Sequence, residues 1–288
     1  MIRRLVNRFF DAQTWADEVG ETTQKVIRAI YRPAAVRDLL HGVWLGHPLH
    51  PLLSDVPVGA FTAGLVLDLL TGAYPGLHDG ANLVTLIGFV VMAAAILSGF
   101  ADYVDLEGRA RRYGTVHAFL MIMSAAFYLF SLLVRYGFTP GTVYHSTLTA
   151  VLGYVLLTVG AYLGGELAFG FGAQVTRHAW RGGGDKWLAL DVTDVPEGAL
   201  TKAKAGTQTL VLVRSGGQLF AMHDVCAHQG CSLAAGTIVG DEIQCPCHGS
   251  RYRIRDGAVA TGPSVFDQPA YEVRTAQGRL EVRRVGPR

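Results

Sequence analysis

Four apolar segments of roughly 20 residues each, crowded into about 120 positions, most constrain what this chain can fold into. They run approximately over 51–70, 81–100, 116–134 and 148–168. About 20 helical residues cross a hydrocarbon layer of ~30 Å. Breaks fall at Thr71-Gly72, Tyr74-Pro75-Gly76, Gly108 and Thr139-Pro140-Gly141. The pattern predicts a four-helix transmembrane bundle; a buried helical bundle in a soluble domain is the competing reading. The rest of the chain differs. Residues 1–46 alternate charge and bulk, as in LVNRFF and VIRAIYRP, and read as one or two amphipathic helices ending near Pro33. They either lie on the membrane face or pack on a neighbouring domain.

Basic residues orient the bundle. Arg3, Arg4, Arg8, Lys25, Arg28, Arg32 and Arg37 precede the first span, Arg109, Arg111 and Arg112 lie between the second and third, and Arg177, Arg181 and Lys186 follow the fourth. The other side has only Arg135 at its edge. Both termini are therefore expected in the cytoplasm of a bacterial cell, with the spans in its inner membrane. No apolar run after Arg3 and Arg4 suits a cleavable signal. A net charge of +2 gives no reason to expect a nucleic-acid partner.

Beyond about residue 173 a linker containing Gly182-Gly183-Gly184 leads into short runs of β character: WLALDV, TLVLVR, QLFAMH, EIQCPC, RYRIR, AYEVR and RLEVR. Gly-Gly, Asp-Gly and Gln-Gly turns between them predict a small antiparallel β domain. The expected class is α + β, divided into an interfacial segment (1–46), a membrane domain (47–172), a linker (173–185) and a β domain (186–288).

All four cysteines lie in this last domain: Cys226, Cys231, Cys245 and Cys247. Cys226-Ala-His228 is followed after 16 residues by Cys245-Pro-Cys-His248. Two such pairs can present two thiolates and two imidazoles from two loops, the donor set of a Rieske-type [2Fe–2S] cluster. A Cys₂His₂ zinc site uses the same set. The Gly-rich continuations, Gly230-Cys231 and Gly249-Ser250, favour the cluster, because such turns bring backbone N–H groups close to sulfur.

The segments HDVCAHQGCSL and CPCHGSRY make residues 186–284 resemble a Rieske iron–sulfur domain, and Gly262-Pro263 is similar to the proline loop that shields the cluster in that family. The resemblance implies that Cys226 and Cys245 bind the inner iron. His228 and His248 would bind the outer one, with their ring edges near solvent. It further implies a disulfide between Cys231 and Cys247, as in high-potential members from cytochrome bc-type complexes. Ser250 and Tyr252 match hydroxyls that hydrogen-bond cluster sulfurs there. A disulfide suits an oxidising compartment and so conflicts with cytoplasmic placement; either a constrained one survives a reducing pool or Cys231 and Cys247 remain thiols.

GHPLHPLLSDVPVGAFTAGLVLDLL resembles the opening of a bacterial family of four-helix membrane proteins of unknown function, over about 40–170. His47, His50, Asp55, Asp102, Asp105, His117 and Glu166 should gather at the cytoplasmic end. A haem b or quinone site is one expectation, with His50 and His117 as haem ligands and His47 nearby; helix capping is the other. His78 and His145 fall on the far side and His223 at the surface, with no role.

Three functions follow as expectations: one-electron transfer in a quinol-linked chain, a tethered Rieske ferredoxin serving a cytoplasmic reductase or oxygenase, or a redox sensor. The partners would be the lipid bilayer and redox proteins or quinol. Only about 40 residues follow His248, which leaves no room there for an oxygenase iron domain.

Overall fold

The computed structural model describes residues 2–179 and 186–285, with side chains from residue 5. Arg181 and the Gly182–Gly184 linker lie outside the described residues, as do the side chains of Arg3 and Arg4. The chain divides into two compact units. One comprises residues 1–32 and 49–173, the other 33–48 and 174–288.

The first unit holds α1 (Ile2–Asp11), α2 (Trp15–Ile30) and four long helices: α4 (Leu49–Leu70), α5 (His78–Tyr103), α6 (Gly108–Arg135) and α7 (Val143–Gly165). Each long helix is apolar and long enough to span a membrane, yet only 17–28% of each apolar span is buried inside the protein. Leu83, Ile87, Val90, Leu97, Ile122 and Leu129 point outward. A soluble bundle would bury such a surface, so the soluble reading fails and lipid is the solvent that fits it.

The contacts between these helices are built from small and hydroxylated residues, as expected where lipid competes for every apolar side chain. A Cβ at Gly153 would come within 3.0 Å of the Tyr128 ring, and one at Gly88 within 3.0 Å of Phe61. Ser124 Oγ donates to the Gly153 carbonyl (2.8 Å) and Ser131 Oγ to that of Ser146 (2.7 Å).

The helices outrun their apolar cores because polar ends find partners. At the start of α6, Arg109 pairs with Asp11 (2.6 Å), Arg111 with Glu21 (2.8 Å) and Arg112 with Asp17 (2.5 Å). These ion pairs hold α1 and α2 against the bundle. Gln24 of α2 caps α5 by donating to the Tyr103 and Leu106 carbonyls, both at 2.8 Å. At the other end of α6, Arg135 is buried in an ion pair with Asp68 (side chains 1% and 3% exposed) and donates to Asn82 (2.8 Å).

The N-terminal segment expected as one piece over 1–46 is thus divided. α1 and α2 pack with the membrane helices, whereas α3 (Ala34–His41) and the turn after it belong to the second unit. The expected linker is also shorter at its start, because His178 is buried with its ring 4.7 Å from that of His223.

The second unit is built on a six-stranded antiparallel sheet ordered β1-β10-β9-β4-β3-β2, and a four-stranded sheet ordered β5-β6-β7-β8. The large sheet comprises β1 (Leu188–Ala189), β2 (Leu200–Ala205), β3 (Gln208–Ser215), β4 (Gln218–His223), β9 (Ala270–Ala276) and β10 (Arg279–Arg284). The small sheet comprises β5 (Thr237–Val239), β6 (Glu242–Gln244), β7 (Arg251–Arg253) and β8 (Val259–Thr261) and is inserted between β4 and β9.

β3 explains its own continuous apolar run. Leu210 and Leu212 face one core with Ala203, Ala221 and Leu280, while Val211 and Val213 face another with Cys226, Cys245 and Tyr252. The β3–β4 turn needs two residues at positive φ, and Gly216 (60°) and Gly217 (77°) supply them. β2, β5 and β8 were not among the expected runs. In β2 the buried positions are Ala203 and Ala205 and the exposed ones Lys202 and Lys204, residues with little β character of their own.

Candidate metal centre

Two knuckles with the same hydrogen-bond frame carry the cysteine–histidine pairs. The first follows β4, and its Cys226 N–H donates to the Cys231 carbonyl (2.8 Å) while Gly230 N–H donates back to Cys226 (3.0 Å). The second joins β6 to β7. Cys245 N–H donates to the Ser250 carbonyl (2.8 Å), and Gly249 N–H returns to Cys245 (3.2 Å). Each loop closes only because its fifth residue sits at positive φ, Gly230 at 90° and Gly249 at 80°.

The knuckles converge. Cys226 and Cys245 are buried free thiols on the two knuckles, close enough to act on each other's protons. The imidazoles of His228 and His248 lie 5.0 Å apart with planes at 86°. A disulfide joins Cys231 to Cys247. Tyr252, fully buried on β7, brings its hydroxyl to 3.2 Å from Cys226 Sγ. Ser250 Oγ accepts the Ser264 N–H (3.0 Å), holding the loop that begins at the cis Gly262–Pro263 bond.

The electrostatics suit ligation. Hydrogen bonding from Cys226 lowers the Cys245 thiol below the usual range, helped by the Cys247 and His248 N–H groups. One proton of the pair is therefore easily lost. Burial, then the neighbouring His248, His41 and Arg177 side chains, push His228 well below the ordinary imidazole value. Burial and the adjoining Cys226 sulfur raise Tyr252, which stays a hydrogen-bond donor.

Residues 186–272 match the family described as "Rieske [2Fe-2S] domain", and residues 46–177 match "Predicted membrane protein (DUF2231)". Over 98 residues the chain is 32% identical to "Ferredoxin CarAc" of Metapseudomonas resinovorans, covering 33% of this chain and 92% of the ferredoxin. The chain belongs to the Rieske [2Fe–2S] family. It is also 33% identical over 90 residues to the "Cytochrome b6-f complex iron-sulfur subunit" of Chlorobaculum tepidum, covering 31% of this chain and 49% of the subunit, about half its length. The solved "Ferredoxin of carbazole 1,9a-dioxygenase" from Nocardioides aromaticivorans IC177 is 26% identical, with 34% of this chain and 97% of that one covered and a TM-score of 0.32.

The donors of the Rieske domain fit its family's cluster. Two buried sulfurs face two imidazoles that stand at the separation expected when both reach one tetrahedral metal through ~2.0–2.1 Å bonds. One expectation is corrected. The His228 ring is not at the surface: the residue is 4% exposed, whereas His248 is half-buried. Segments that the Rieske motif does not contain lie beside it. His41 of α3 and Arg177 are close enough to act on its charge. Asp38 of α3 accepts the Gly262 N–H (2.9 Å). His223, expected at the surface, is 2% exposed, because β4 leads straight into the first knuckle.

Two buried residues that the sequence reading passed over position the Rieske knuckles. Gln268 accepts from Ala227 N–H (3.0 Å) and donates to the carbonyls of His223 (2.5 Å) and Val225 (2.6 Å). Asp224 accepts from Ser232 Oγ (2.8 Å), Ala234 N–H (2.8 Å) and Lys202 Nζ (3.0 Å). Asp224 adjoins the motif and was open to reading as a loop-forming side chain; Gln268, in a loop 42 positions beyond Cys226, carried no signal.

Of the membrane histidines, His50 and His117 come together, with ring centres 6.2 Å apart. His47 does not join them. It belongs to the other unit, is exposed, and sets Nδ1 on the carbonyl of Pro48 (3.0 Å).

Proposed function

We propose that this chain is a membrane-anchored one-electron carrier of a quinol-linked redox chain, with its Rieske domain on the cytoplasmic side of a bacterial inner membrane. The observation that carries the reading is the Tyr252 hydroxyl on Cys226 Sγ. When bound, the [2Fe–2S] group supplies a site for a single electron. Cys226 and Cys245 hold it through sulfur, and His228 and His248 through imidazole. A hydroxyl hydrogen bond to a ligand sulfur stabilises the more negative, reduced state and so raises the potential, as acceptance of electrons from quinol requires. The Cys231–Cys247 bond ties the two knuckles, and Leu233, Ile243 and Ile254 keep water from the sulfurs. The similarity to a cytochrome b6-f iron–sulfur subunit supports the same reading.

The orientation rests on charge. In an up-down-up-down bundle, the start of α4, the start of α6 and the end of α7 share one end, which gathers Arg109, Arg111 and Arg112. The opposite end has Arg135, so the basic residues are concentrated at the first end.

The similarity to a ferredoxin over 92% of its length favours a second reading, a tethered ferredoxin feeding a soluble oxidoreductase. An EPR-monitored redox titration of the purified full chain separates the two. Rieske centres span roughly −150 to +300 mV. A midpoint in the upper half, with reduction by added quinol, is expected; a midpoint near the lower end selects the ferredoxin. A protein holding zinc and no iron would overturn both.

A further inference from the structure

The membrane domain builds one arrangement twice. In the α4–α5 hairpin, His50 sets Nδ1 on the Ala95 carbonyl at 2.8 Å. Its ring lies against Gly99, one turn further along α5, where a Cβ would come within 2.8 Å of Cε1. In the α6–α7 hairpin, His117 sets Nδ1 on the Gly160 carbonyl, also at 2.8 Å. Its ring lies against Gly164, again one turn further along, where a Cβ would come within 3.3 Å of Cε1. Positions four apart share a helix face. Each hairpin therefore offers one histidine, one carbonyl that holds it and one glycine that makes room for its ring.

A carbonyl only accepts, so Nδ1 carries the proton in both rings and Nε2 carries the lone pair. Fixing the tautomer through a backbone carbonyl is the outer-shell arrangement of metal-binding histidines. The rings meet across the bundle with centres 6.2 Å apart and planes at 80°. Two imidazoles on one tetrahedral metal, with bonds of ~2.0–2.1 Å, would have ring centres about 5 Å apart, the separation found for His228 and His248 (5.0 Å). The wider separation matches imidazoles on opposite faces of a single metal, about 6 Å between ring centres for ~2.0–2.1 Å bonds.

The metal must bring its own equatorial ligands. Among the described residues, the one group of three or more histidine, cysteine or carboxylate donors close enough to share an ion is Cys231, Cys245 and Cys247, in the other unit. A bare ion at His50 and His117 would have two protein ligands where a structural or catalytic site uses three or four. A haem supplies four nitrogens in a plane and needs only axial ligands, and its apolar macrocycle suits a lipid-facing bundle. Ionisable residues inside membrane helices are costly and mark functional sites.

We propose that His50 and His117 are the two axial ligands of one b-type haem in the membrane domain. The inference does not depend on the role assigned to the Rieske domain. Its test uses the full-length chain purified in detergent and titrated with hemin, read by haemochrome stoichiometry, optical spectrum and EPR. The expected result is one low-spin haem per chain. His50→Ala and His117→Ala should each abolish stoichiometric binding while the Rieske EPR signal persists, which separates failure of this site from failure of the cluster. His117→Met should retain haem with a shifted spectrum, which a purely structural histidine would not produce. Gly99→Val, which displaces His50, should weaken binding by roughly 10–100-fold. Folded chain with an intact Rieske signal and no hemin binding would overturn the proposal. So would an unchanged haem spectrum in both alanine variants, or a bare metal ion or quinone held at these histidines without haem.

Discussion

The Tyr252 hydroxyl lies 3.2 Å from Cys226 Sγ, and both groups are buried. Tyr252→Phe removes the donor and little else. A net hydrogen bond of ~1 kcal/mol corresponds to roughly 40 mV for a one-electron couple. The Rieske midpoint should fall by that order with the EPR line shape retained. An unmoved midpoint would show that the hydroxyl does not tune the sulfur.

The Cys231–Cys247 bond closes a loop with a sequence separation of 16. In the chain-entropy model a loop of this size contributes ~3 kcal/mol. Cys231→Ser with Cys247→Ser should lower the unfolding midpoint of the Rieske domain in guanidinium, measured by loss of its visible absorbance. Equal midpoints for the variant and the parent would mean that the knuckles hold together without the bond.

Gln268 satisfies one N–H and two carbonyls of the first knuckle from a buried position. Gln268→Leu leaves all three without that partner, at a cost of about 1–3 kcal/mol per buried group. Iron content per chain should drop, with a broadened or lost EPR signal. Full iron occupancy in Gln268→Leu would sink the assignment of a positioning role.

Asp17 is held below the ordinary carboxylate range by its hydrogen bond from Arg112 (2.5 Å). Its folded value is depressed, so its stabilisation is complete above the unfolded value of ~3.9 and is lost as pH falls through the lower folded value. Docking of α2, followed by amide exchange in detergent, should weaken below about pH 4. Asp17→Asn should remove most of that acid sensitivity. Identical acid profiles for the two proteins would count against the ion pair as its source.

Cytoplasmic placement predicts that a cysteine-reactive, membrane-impermeant probe applied to intact cells labels Tyr144→Cys, exposed in the first turn of α7, and leaves Lys186→Cys unlabelled until the cells are opened. The reverse pattern would put the Rieske domain outside.

The sequence by itself determined the four spans, because runs of about 20 apolar residues have few other solutions. It also singled out Cys226, His228, Cys245 and His248 as the candidate ligand set, because two cysteine–histidine pairs in Gly-closed knuckles carry a local signature. Both signals are local. What depends on distant partners was not legible. β2 was hidden because its buried positions are alanines, whose place comes from β3. Gln268 became part of the site only when the insertion of β5–β8 returned the chain to β4. The burial of His228 and His223 also waited on the tertiary structure. Their local sequence is polar, and α3 with residues 174–178 join the Rieske domain from far away in the chain. The pairing of His50 with His117 is of the same kind. Each histidine was visible in its own helix, but only the packing of the hairpins turned the two rings toward each other across glycine.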